Sequence, residues 1–288
     1  MNEPSPFRRV AIIGVGLIGG SFALALRRQF PEIVLVGFDR PEVLEHALAS
    51  GIVQHAARDI SNAVRGADLI YIALPVIAAM DTLPAIAASA APNALVTDAC
   101  STKSAICRVA AGHFKNTARF LGGHPMAGRE LSGLAHVEAD LFCGARYVLI
   151  AKQADGDARV QHFVGALRAI GAELVYCDAE THDWAAGIVS HLPQMIAVAL
   201  ARVIQGEADE TDLPLSLAGG GLRDALRLAG SPYSVWRDIC LTNKENISRA
   251  LDRMSQTVDH LRAQLASKDL EQEFLVANEL YKFLHKLQ

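Results

Sequence analysis

Arg9-Val10-Ala11-Ile12-Ile13-Gly14-Val15-Gly16-Leu17-Ile18-Gly19-Gly20-Ser21 decides the fold of this chain. The apolar run Val10–Ile13 is too short for a helix and carries β-branched residues, so it predicts a buried strand. The amphipathic pattern Leu17–Arg28 that follows predicts a helix. Between them stands G-x-G-x-x-G, and each glycine has a task there. Gly14 makes the tight turn, Gly16 lets the backbone approach a pyrophosphate, and Gly19 lets helix pack closely on strand. The helix start then offers Leu17, Ile18 and their neighbours as N–H donors at a positive dipole end. A second strand, Ile33–Phe38, leads to Asp39 about twenty residues downstream, where a carboxylate accepts ribose hydroxyls and repels a 2′-phosphate. Asp39 argues for NAD, while Arg40 beside it leaves NADP possible.

Outward from this stretch the first half keeps alternating strand and helix patterns, which predicts a parallel sheet with crossover helices. Further strands are expected at Asp68–Leu74, Ala94–Asp98, Phe120–Gly123, Tyr147–Ala151 and Leu174–Cys177, with a helix over Ala158–Ile170. After about Glu180 the character changes. His182–Ile204, Leu222–Leu228, Val235–Lys268 and Leu270–Leu287 all show helical periodicity. The division expected is a dinucleotide-binding α/β domain over residues 1–179 and an all-helical domain over residues 180–288.

Composition narrows the function classes. A chain of 288 residues with a formal net charge of −4 and no Lys/Arg tract is an unlikely match for nucleic acid. Apolar stretches such as Leu69–Ala79 are short and broken by Pro75, so no membrane span is expected. The N-terminus carries no signal-peptide core. The five cysteines are scattered without a CxxC pair, which fits reduced thiols in a cytoplasmic protein. No His/Cys/Asp/Glu cluster has metal-ligand spacing, and no metal is expected.

Chemistry is expected at the carboxyl ends of the later strands. Asp98-Ala99-Cys100-Ser101-Thr102-Lys103 is one such tip and Gly122-Gly123-His124-Pro125-Met126-Ala127-Gly128 another. The helical half adds Ser190-His191-Leu192-Pro193-Gln194, Gly219-Gly220-Gly221-Leu222-Arg223-Asp224-Ala225-Leu226-Arg227 and Trp236-Arg237-Asp238. With Gly16-Leu17-Ile18-Gly19-Gly20-Ser21 these motifs, in order and at compatible spacing, resemble the prephenate/arogenate (cyclohexadienyl) dehydrogenase family from about Arg8 to Asn246.

The resemblance implies a Rossmann-type domain followed by a helical domain through which two subunits form a homodimer. It implies NAD-dependent oxidation of prephenate or arogenate with loss of CO2, in tyrosine biosynthesis. His124 is then the group that takes the ring hydroxyl proton, and Ser101 bonds the histidine or that hydroxyl. Arg227 holds a substrate carboxylate, His191 touches substrate from the helical domain, and Glu130 orders or gates the pocket. Gln194 stands where many members carry a second histidine, near the side chain that separates prephenate from arogenate. His182 and Asp183 resemble a recurrent pair of the family and equally suit a cap for the helix beginning there. Trp236 is expected to pack beneath the site. The chain ends at Gln288 with no expected regulatory domain after it, so any feedback by tyrosine would have to act at the active site, as a product-like competitor. Two other functions fit less well. A β-hydroxyacid-type dehydrogenase generally uses a helical lysine, and His182–Arg202 has none. A non-catalytic NAD sensor would not keep Ser101, His124, His191 and Arg227 together.

Overall fold

The computed structural model describes residues 7–115, 118–128, 133–151 and 156–286. Among them, nine strands precede residue 178: β1 (Arg9–Ile13), β2 (Val34–Phe38), β3 (His55–Ala56), β4 (Leu69–Ile72), β5 (Leu95–Asp98), β6 (Arg119–Leu121), β7 (Gly123–Pro125), β8 (Arg146–Ile150) and β9 (Glu173–Cys177). From Ala179 onward the regular elements are helices. Six strands form a parallel sheet in the order β3-β2-β1-β4-β5-β6. That is the Rossmann order, with its switch point between β1 and β4.

The sheet's residues explain its burial. Val10 and Ile12 point into one core with Phe22, Leu26 and Tyr71, whereas Ala11 and Ile13 join Ile70, Ile72 and Val96 in the other. A strand covered on both faces needs such a continuous apolar run rather than alternation. Burying each large aliphatic side chain contributes about 1.5–3 kcal/mol.

Two predicted elements divide. Phe120–Gly123 is not one strand, because β6 ends the large sheet and β7 opens a second one, ordered β7-β8-β9. The crossing is tight. A Cβ at Gly122 would meet Cys107 Sγ at 2.8 Å, and one at Gly123 would meet the Asp98 carbonyl at 2.7 Å. Val235–Lys268 breaks at Asn243 into Tyr233–Thr242 and Lys244–Gln264, where the Asn243 side chain turns inward and donates to the Asp183 carbonyl at 2.7 Å. Leu222–Leu228 also ends early, at Leu226, and a tight turn over Arg227–Gly230 follows.

Ala179–Ala208 runs as one continuous helical stretch with a wide turn at Gly187–His191. Pro193 supplies the reason: its ring cannot bond or clear the carbonyl four residues back, so the preceding turn widens, Leu192 N–H reaching the Gly187 carbonyl. By length and composition this helix is apolar enough to cross a membrane, a feature the segment-by-segment reading missed. Its polar side chains His182, Asp183, His191 and Gln194 are buried against the rest of the fold.

The two halves are tied together by helix caps. The helices Val76–Ser89 and Ser104–His113 begin at sheet tips without a side-chain cap from their own N-cap residues. Asp238 accepts from Ile77 N–H at 3.1 Å. Asp183 accepts from Lys103 N–H at 2.7 Å and Ser104 N–H at 2.8 Å. Each cap satisfies donors that would otherwise be orphaned, for about 1 kcal/mol. The helical half thus caps two helices of the nucleotide-type half.

Candidate active site

A cleft of about 690 Å³ opens between the carboxyl ends of the large sheet and the helical half. It brings together Gly16, Leu17 and Ile18, Ser101, His124, His191, Gln194 and Arg227 from distant parts of the chain. Glu130 lies outside the described residues.

The glycine loop is built as a cradle. Gly14 has φ 94°, and a Cβ there would sit 2.5 Å from the Ala73 carbonyl oxygen. At Gly19 a Cβ would fall 1.9 Å from the Gly14 carbonyl oxygen. Gly16, by contrast, has nothing within 4 Å of its Cβ position, so the loop backbone faces open space toward the cleft. The residues present therefore suit a pyrophosphate at the helix start. Asp39 stands at the end of β2 outside the cleft lining. It accepts from Val15 N–H at 2.7 Å and Arg40 N–H at 2.7 Å, which locks the acid to the loop and leaves lone pairs for a ribose. The exposed Arg40 guanidinium lies 3.9 Å from it.

His124, in β7, is buried at 9% exposure. Its Nδ1 is 2.8 Å from His182 Nε2, and His182 Nδ1 is 2.9 Å from Asp183 Oδ1. Burial, assisted by His182, Lys103 and His191, holds the His124 imidazole well below its usual range, so it is neutral at physiological pH. Burial works against the Asp183 charge. Hydrogen bonds from His182, Ser104 and Lys103 prevail, and its carboxyl lies below the usual carboxylate range. Beneath His124 the fully buried Lys103 Nζ pairs with Asp98 and donates to the Gly123 carbonyl at 2.6 Å. His191 is 1% exposed, and its Nδ1 lies 3.1 Å from Asn243 Nδ2. Burial pushes its pKa down to about 4, against the pull of Asp183. The Trp236 ring meets it edge-on at 5.7 Å, so Trp236 both packs His191 and lines the cleft.

One expectation needs correction, and another narrows. His124 Nδ1 is bonded to His182, and Ser101 lines the cleft without a described bond to the histidine, so of the two expected partners of Ser101 the substrate hydroxyl is the one carried forward. The helix at Ala179 is capped by Asp178, through Thr181 N–H, and Asp183 caps a helix of the other half. Lys103 and Asn243 were missed as site-supporting groups. Lys103 was visible within the quoted Asp98–Lys103 stretch, but nothing local marks a lysine for burial. Among the described residues no three His/Cys/Asp/Glu side chains cluster as metal ligands.

The prephenate dehydrogenase nucleotide-binding domain model matches residues 22–176, and the prephenate dehydrogenase dimerization domain model matches residues 178–283. The chain belongs to the prephenate dehydrogenase family. A relative within the family is the prephenate dehydrogenase of Lactococcus lactis, 33% identical over 264 residues, 91% of this chain and 72% of that protein. Among solved structures, the prephenate dehydrogenase of Aquifex aeolicus in complex with hydroxyphenyl propionate and NAD+ superposes with a TM-score of 0.86. The two share 30% identity over 96% of this chain and 97% of that one. Synechocystis arogenate dehydrogenase superposes at 0.80 with 28% identity, over 97% of this chain and all of that one (100%). Family membership makes this chain an oxidoreductase with a nucleotide-binding and a dimerization region.

Proposed function

We propose that this chain is a cytoplasmic homodimeric enzyme that oxidises prephenate, arogenate or both with NAD, releasing CO2. The observation that carries the reading is His124, neutral and buried, in a cleft that is also lined by a glycine loop open toward a pyrophosphate. Bound NAD supplies the hydride acceptor. The chain's own residues bind, orient and deprotonate. His124 takes the proton of the ring hydroxyl, and a neutral imidazole suits that task. Ser101 orients the hydroxyl near the nicotinamide. Among the described cleft-lining residues Arg227 is the permanent cation, and its guanidinium is assigned to a substrate carboxylate. His191 and Gln194 face the substrate from the helical side, and Glu130 is assigned to pocket ordering. Decarboxylation leaves an aromatic ring, so the protein's main work is orientation and removal of one proton.

The domain division is assigned at 179/180. Support for the homodimer comes from the helix Leu270–Lys286, where Phe274, Leu275, Tyr281, Phe283 and Leu284 are each more than half exposed. Apolar side chains of that density on one helix need a covering surface. All five cysteines are free, which fits a reducing compartment.

The test is absorbance at the NADH wavelength with NAD and either substrate, repeated with His124→Asn. NADH from at least one substrate, and loss of most turnover in the variant with substrate still bound, is expected. No reaction with either substrate and either cofactor would overturn the reading. Light scattering giving a monomer mass at micromolar concentration would remove the dimer.

A further inference from the structure

His182 and Asp183 touch His124's network yet have no part in the reaction as described above. Their hydrogen bonds determine the direction of the whole chain. Asp183 is ionised, so it only accepts, and it takes N–H bonds from Lys103 and Ser104 as well as from His182. A singly protonated His182 then carries its proton on Nδ1, facing Asp183, which leaves Nε2 as a lone pair. His124 Nδ1, 2.8 Å away, can only donate to it. A neutral His124 protonated on Nδ1 has its own Nε2 free as an acceptor, and its side chain lines the cleft. The other groups near His124 do not compete. Lys103 is engaged by Asp98 and the Gly123 carbonyl, and His191 is turned to Asn243.

We propose that His182 and Asp183 are positioning residues for the oxidation, fixing His124 as the Nδ1–H tautomer with its Nε2 lone pair toward the substrate hydroxyl. The inference rests on the assignment of His124 as the base. Both positioning residues come from the helical half and His124 from β7, so the base is correctly protonated only where the two halves are docked. The proton balance is simple. The hydroxyl proton arrives at His124 Nε2 while Nδ1–H continues to donate to His182. His182 in turn keeps its own proton toward Asp183, whose fixed charge lies two bonds away from the new imidazolium. The proton then leaves from Nε2 through the cleft, and none passes down the chain.

Asp183 also caps a helix, so its replacement mixes two effects; His182 bonds only His124 and Asp183 among the described side chains. The test therefore compares His182→Leu with His182→Gln, since a glutamine oxygen reaches the same acceptor position. Leu is expected to lower kcat about a hundredfold, the scale of general base catalysis, with KM for NAD and substrate changed by less than about threefold. Gln is expected to recover at least about tenfold of that loss. Long-range 1H–15N NMR of the wild-type histidine rings with NAD present should show His124 protonated on Nδ1. A folded His182→Leu variant keeping kcat within about threefold of wild type, or an Nε2–H signature at His124, overturns the proposal. If the Leu variant does not fold, the wild-type spectrum and the Gln kinetics decide. A wild-type enzyme inert to both substrates would defeat the functional reading instead, and the tautomer measurement would still stand on its own.

Discussion

Replacing Lys103 by Met removes a cation from a place where its partner cannot reach water. Lys103 and Asp98 are both fully buried. Asp98 keeps two donors without the lysine, Cys100 N–H at 3.0 Å and Gly123 N–H at 3.2 Å. Breaking a buried ion pair on one side costs about 3–5 kcal/mol. The retained N–H bonds pull that toward the lower end, and loss of the bond to the Gly123 carbonyl adds about 1 kcal/mol. A destabilisation of about 4 kcal/mol is expected for Lys103→Met. Asp98→Asn/Lys103→Met removes both charges and is expected to cost about 2 kcal/mol, about half the cost of the single variant. Urea unfolding followed by far-UV circular dichroism and by tryptophan fluorescence measures both. Trp184 and Trp236 lie in the helical half, so a circular dichroism transition at lower urea than the fluorescence transition would show the nucleotide-type half unfolding first. A Lys103→Met variant within 1 kcal/mol of wild type would refute the electrostatic reasoning, as would a double variant no better than the single.

Other consequences can be measured directly. Asp39→Ser removes the carboxylate at the β2 tip and is expected to lower the NAD/NADP ratio of kcat/KM at least about tenfold; an unchanged ratio takes Asp39 out of cofactor choice. Arg227→Lys keeps the charge and loses the bidentate fork, so substrate KM should rise about tenfold or more with NAD KM unchanged. His191 is held near 4 in the folded state against about 6.5 unfolded. The unfolded chain therefore binds more protons between those values, and stability falls as pH drops from about 6.5 toward 4. The loss reaches on the order of 3 kcal/mol at His191 alone. His191→Gln should flatten that part of the stability–pH curve, and an unaltered slope would locate the effect elsewhere.

Much of this molecule was readable locally. A five-residue apolar strand, a glycine turn and an amphipathic helix are decided by neighbours in sequence, so Arg9–Ile13, Gly14–Gly19 and the helix after them were legible, as was Asp39 at the next strand end. The motifs around Ser101, His124, His191 and Arg227 were legible as candidates because their residue types and order match a family. Their meeting in one cleft was not, since it depends on how the helical half docks on the sheet tips. The same docking decides which residues serve the site from behind. Asp183 looked like a local cap and caps a helix nearly eighty residues away in sequence, |i−j| 79. His182 carries no periodicity that predicts a ring nitrogen 2.8 Å from His124. Strand and helix propensities act over a few residues, whereas burial of Lys103, the turn of Asn243 and the direction of the histidine hydrogen bonds arise from contacts between segments far apart in the chain. Sequence determined the elements and the candidate chemistry, and tertiary structure decided the partners, because desolvation and hydrogen-bond direction exist only once distant surfaces have closed over each other.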